Sequence, residues 1–330
     1  MTTLASPHDL LAAVPFLIGY HPTDSLVLIS LLDESIGMAM RIDFPQEFDP
    51  DQIDNLASHL VREKSDSALL IAYLPTELID PDFVLDPLRE AIEMRGIVLR
   101  EILEVRADRW RSLLCQDKEC CPHHGNPMPD ISHSRIAAEQ VARGRRLPFV
   151  DLESLTQSLT SLEYDPRLAK LISEVPEIDY ESAEVKKLQR AGALALSDLL
   201  HEFEANGIST DIELISLVLA RVKDLQVRDY AMGITNDENI EQLWSMWRWL
   251  LRIAPVGFIA PAATLFSAIS YEKGDGALAQ RALDRAFEDD AAYPLAKLLR
   301  RVFAAGWPPA SFAAMRSELH PKICSSLFDE

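Results

Sequence analysis

The chain has 330 residues, 48% of them hydrophobic and 25% charged, and 52 acidic against 32 basic side chains leave a formal charge of −20. That length suggests about two domains, and that hydrophobic share can bury a sizeable core. The acidity argues against a nucleic-acid backbone or an anionic membrane as the main ligand, because both call for a compensating positive surface.

The N-terminal MTTLASPHD has no basic n-region and no long apolar run, so no secretory signal is expected. The most apolar windows, 10–17 and 257–270, are broken by Pro15, Gly19 and Pro261. Both fall short of the about 20 residues that a bilayer span requires. A cytoplasmic protein is therefore expected, its four cysteines serving as thiols or ligands rather than as disulfides.

Ser6-Pro7 reads as the N-cap and first position of a helix that should end before Pro15. The segment GYHPTDS at 19–25 then interrupts a strongly apolar stretch. SLVLISLL at 25–32 is a continuous apolar run, the pattern of a strand covered on both faces, and 36–44 makes a hairpin with it. From there the pattern alternates. Residues 50–63 carry Ile53, Leu56, Leu60 and Val61 at helical spacing, and 67–74 reads as a buried strand. A second helix is expected over 84–94, closed by Gly96, and a strand over 97–105. Strands alternating with helices indicate an α/β domain with a mixed sheet. Neither a P-loop nor a Gly-x-Gly-x-x-Gly turn is present in the sequence.

Beyond residue 150 the strand signals stop, and 152–162, 181–205, 210–222 and 238–253 are amphipathic helical patterns. The expected boundary lies at 148/149, within the turn that carries Arg143, Arg145 and Arg146. Further on, two helices meet at Gly274, followed by Ala279, Leu283 and Ala286. That order resembles a single tetratricopeptide-like helical hairpin, in which small residues let paired helices approach closely. The expected fold is thus an α/β N-terminal domain with a mixed sheet (1–148) followed by an all-α domain (149–330) containing that hairpin.

Three segments taken together, LLAAVPFLIGYHPTDSLVL, CQDKECCPHHGNP and GDGALAQRALDRAF, resemble an uncharacterised family of actinobacterial proteins known only as a domain of unknown function. The resemblance spans most of the chain. It implies a stand-alone bacterial protein of the cytoplasm and supplies no activity to carry over.

Candidate chemistry gathers in two places. In GYHPTDS, Gly19 can take positive φ, Pro22 fixes φ, and Thr23 or Asp24 can bind free amides, which together describe a turn that launches a strand. His21, Asp24 and Ser25, with Arg41 and Asp43 on the neighbouring strand, form a candidate ligand-binding edge. A Ser-His-Asp triad is hard to assemble from three neighbours in one turn. The second place is the loop holding Cys115, Cys120, Cys121, His123 and His124, with His133 beyond it. The donor types suit zinc, but their crowding departs from the paired spacing of structural zinc sites, so packing thiols, a metal and a redox pair all stay open. Trp244 and Trp247 share one helix face beside Trp249, which suits a core or an aromatic contact.

The expectation is a non-catalytic protein-interaction or regulatory module with a protein partner, no nucleic acid, no membrane, and no assigned metal or cofactor. The alternatives are a hydrolase or transferase with its pocket at GYHPTDS, and a thiol or metal sensor at 115–124.

Overall fold

A computed structural model of the chain describes residues 4–329 apart from 34, 48 and 79. The described residues divide into two compact units that meet between Leu155 and Thr156.

The first unit is α/β. Helix α1 (Pro7–Ile18) begins at Ser6, whose hydroxyl accepts from the Asp9 amide. It does not stop at Pro15 but runs through it to Gly19. Pro15 removes one helical hydrogen bond, at a cost of about 3 kcal/mol. Burial of Leu10, Leu11, Ala12, Ala13, Val14 and Ile18 offsets that cost. Strands β1 (Ser25–Leu32) and β2 (Ser35–Asp43) form the expected hairpin, and α2 (Pro50–Arg62) follows, capped by Asp49. Then come β3 (Ser67–Tyr73), α3 (Asp82–Glu93), β4 (Val98–Arg106), β5 (Arg109–Ser112) and β6 (Asn126–Pro127). Helices α4 (Arg135–Ala142) and α5 (Leu152–Gln157) complete this part of the chain.

The sheet order is β2-β1-β3-β4-β5-β6. Only the β3–β4 pair, joined through α3, is parallel, so the sheet is mixed. One face carries Leu26, Leu28, Leu70, Ala72 and Ile102 against Leu56 and Leu60 of α2 and Leu88 and Ile92 of α3. Val27, Ile29, Ile71 and Leu103 on the other face are also fully buried. On that face α1 sets His8 edge-on to Trp110 of β5, with ring centroids 5.3 Å apart. Cover on both sides explains why β1 is apolar without alternation. Strands β5 and β6 went unread in the sequence because both are short and lie beyond the apolar core strands.

The second unit is helical, built from α6 (Leu168–Glu174), α7 (Val185–Asn206), α8 (Ile212–Arg221), α9 (Leu225–Gly233), α10 (Ile240–Ile253), α11 (Ile259–Glu272), α12 (Gly276–Asp289), α13 (Pro294–Ala304) and α14 (Pro309–Phe328). The helical pattern over 152–162 shortens to α5, because the Leu162 amide donates instead to the Arg252 carbonyl at 2.7 Å. Helix α11 is buried from Ile259 through Ser270, as befits a helix apolar on all sides. It pairs with α12 across Gly274 (φ 82°), where Ala279, Ala282 and Ala286 are fully buried and Ser267 donates to the Ala279 carbonyl. Arg316 of α14 is buried against Glu272 of α11 at 2.6 Å and also donates to the Thr235 carbonyl.

Candidate functional site

GYHPTDS is held together as structure. Gly19 adopts φ 90° and its amide closes α1 on the Pro15 carbonyl, so its conformational freedom serves a helix C-cap. The Gly19 carbonyl accepts from the Phe149 amide at 2.9 Å, and the His21 amide donates to the Phe149 carbonyl at 3.1 Å. Asp24, at φ 44°, turns the chain into β1, and its carbonyl accepts from the Phe44 amide.

Ser25 is completely buried at the start of β1. Its hydroxyl donates to the Thr23 carbonyl and accepts from Nε of Arg41 at 2.8 Å. The Arg41 guanidinium also pairs with Asp43 at 2.6 Å and lies 5.9 Å from the Tyr20 ring centroid. The fold therefore joins Ser25, Arg41 and Tyr20, and Tyr20 carried no sequence signal for that role. His21 stays apart. Among the described residues no hydrogen bond links its ring to Ser25 or Asp24, and burial pulls its pKa below the ordinary imidazole value. A guanidinium beside a hydroxyl cannot accept its proton, so the triad geometry is not assembled.

The thiol loop connects β5 to β6. Ser112, the last residue of β5, accepts at its hydroxyl from the Leu114 and Cys115 amides, at 3.2 and 3.1 Å. The Asp117 carboxylate accepts from the Glu119 and Cys120 amides, and the Asp117 carbonyl accepts from the Cys121 amide at 2.7 Å. Asn126 donates to the Cys120 carbonyl at 2.9 Å. Gly125 turns back at φ 73°, where a Cβ would stand 3.0 Å from the Trp110 carbonyl oxygen. Asp117 and Gly125 are ordinary turn residues in the sequence, and that turn chemistry was the signal available for them.

These constraints bring the Sγ atoms of Cys115, Cys120 and Cys121 within 4.8 Å of one another. None of the three is buried: Cys120 is exposed and the other two are half-exposed. Hydrogen bonds that the Cys120 thiol donates toward Cys115 and Cys121, and then the charge of those two when ionised, push the Cys120 thiol up to about 11. That is opposite to the low value of a reactive thiolate. His123 and His124 are exposed and do not join the group, while His133 is turned to Asp130 at 2.8 Å. The soft-metal donors gathered here are thus three thiols and no imidazole.

The other candidates resolve into packing or surface. Trp244 and Trp247 are buried, and Trp249 meets the rings of Tyr164 and Phe203 at 5.7 and 5.6 Å. Arg143, Arg145 and Arg146 are exposed. No described helix is long and apolar enough to cross a membrane.

A mixed-sheet unit with an ordered thiol loop, followed by a helical unit, is the class of protein these elements define. The chain belongs to the family described as a domain of unknown function (DUF4192), whose model matches residues 7–310. No curated protein and no solved structure matches it.

Proposed function

We propose that this chain is a regulatory module of the cytoplasm, without catalysis of its own, that takes up a thiophilic ligand on the β5–β6 loop and acts through a protein partner. The observation that carries the reading is the convergence of three accessible thiols within 4.8 Å on a loop fixed by its own hydrogen bonds. Thiols stay reduced in that compartment and are available as ligands there. The enzyme reading has less support, since the Ser25 proton is committed to Thr23 and its neighbour is Arg41. The helical unit supplies surface for the partner, and the α11–α12 pair is its tetratricopeptide-like element.

The test uses the reduced full-length chain and phenylarsine oxide, a probe for neighbouring thiols. A ligand at about 100 times its Kd adds about 2.7 kcal/mol, which is readable as a rise in Tm. The rise is expected in the native chain and absent when Cys115, Cys120 and Cys121 are all replaced by serine. Turnover of simple esters or phosphoesters that disappears in His21→Ala would overturn this reading in favour of the enzyme.

A further inference from the structure

We propose that Cys115, Cys120 and Cys121 bind one zinc-class divalent ion as three thiolates, with the fourth coordination position left to solvent or an incoming ligand. The inference rests on the thiol loop being the functional site and names the ligand it takes.

With Zn–S bonds of about 2.3 Å, a tetrahedral ion separates its sulfurs by about 3.8 Å. Three Sγ atoms within 4.8 Å of one another already lie near that spacing. The backbone is the part held in place, by Ser112, Asp117 and Asn126 around the three cysteines and by Gly125 at the return. A disulfide uses two of the three thiols and needs an S–S bond of about 2.05 Å. One ion uses all three. Binding is balanced by release of three protons, one from each thiol, leaving a complex of net charge −1.

The donor count also indicates the kind of site. Structural zinc sites close all four positions with protein ligands, whereas three protein ligands leave a position for exchange. No fourth His, Cys, Asp or Glu donor joins the three sulfurs among the described residues. Because its own hydrogen bonds order the loop, the metal-free chain should stay folded, unlike domains whose folding depends on zinc.

The experiment titrates the reduced full-length chain with Zn2+ under native mass spectrometry and with Co2+ by near-ultraviolet spectroscopy. The expected result is a single ion per chain and sulfur-to-cobalt charge-transfer bands. Each of Cys115→Ser, Cys120→Ser and Cys121→Ser should weaken Zn2+ binding by at least about tenfold, with the metal-free Tm confirming that the variant is folded. His123→Ala and His124→Ala should bind like the native chain. A loss in either histidine variant equal to that in the cysteine variants would overturn the open fourth position. Uptake of phenylarsine oxide without Zn2+ or Co2+ would overturn the metal and leave the thiol-ligand reading standing. Failure of all three probes would overturn both.

Discussion

At the scale of single residues, the β1–β2 hairpin turns on one hydroxyl. The register between these strands shifts between Ile29 and Leu31, so Ser30 alone faces Gly37 and Met38, a β-bulge. The buried Ser30 hydroxyl accepts from the Met38 amide at 2.7 Å. A Cβ on Gly37 would stand 2.5 Å from that oxygen. Gly37→Ala must therefore turn the hydroxyl away and leave the Met38 amide without its acceptor. The expected loss is about 1–2 kcal/mol by urea unfolding. In a Ser30→Ala background the obstructing oxygen is gone, and the same Gly37→Ala change should cost far less. An equal cost in both backgrounds would mean that Gly37 matters for backbone freedom and not for this contact.

At the scale of elements, helix ends decide how the helical unit closes. Helix α11 packs among other helices, and its first amides have no partner within their own helix. Asp289, the last residue of α12, accepts from the amides of Gly257, Ile259 and Ala260 at 2.6, 2.9 and 2.9 Å. The C-terminus of one helix thus caps the N-terminus of its partner, and the carboxylate also favours the positive end of the α11 dipole. Asp289→Ala is expected to cost about 2 kcal/mol, the upper range for a lost cap. Asp289→Asn should recover part of it, since an amide oxygen still accepts while the charge is gone. Thermal unfolding of both variants checks the order, and an Asp289→Asn protein no more stable than Asp289→Ala would show that the charge alone is at work.

At the scale of the whole molecule, acid should loosen the protein in two stages. Burial lowers the pKa of His21, His59 and His320, with Arg62 adding to the effect at His59 and Arg316 at His320. An imidazole freed by unfolding binds its proton near pH 6.5, while the folded chain resists it until a lower pH. Between those values the unfolded state holds more protons, so stability falls as pH falls through that window. Asp130 and Asp165 work at lower pH. Ser132 and His133 hold the Asp130 carboxyl down to about 2, and Arg167 does the same for Asp165. Their contribution is present above the ordinary carboxylate range and lost below it. The urea midpoint should therefore drop between about pH 7.5 and about pH 5.5, and His59→Gln should flatten that drop. An unchanged midpoint over this interval would count against these three histidines.

The alternation of the first four strands with α2 and α3, the helical character of the C-terminal part of the chain, and the burial of 25–31 on both faces of the sheet were legible in the amino-acid sequence. Each is a local matter of periodicity, turn residues and apolar runs, and local rules act on neighbours in the chain. The turn at Gly19 and the helix joint at Gly274 were legible for the same reason. What escaped local reading depended on partners distant in sequence. Helix α1 continues through Pro15 because of what it buries, and the 152–162 helix shortens because the Leu162 amide finds Arg252. At the candidate sites the division is similar. The sequence displayed His21, Asp24 and Ser25 side by side, but only the folded sheet gave Ser25 to Arg41 and left His21 apart. It also displayed three cysteines whose crowding looked unfavourable for a metal. Pairing β5 with β6 returned that loop on itself and pointed their sulfurs at one another, because distances between side chains are set by the closure of the chain and not by its spacing.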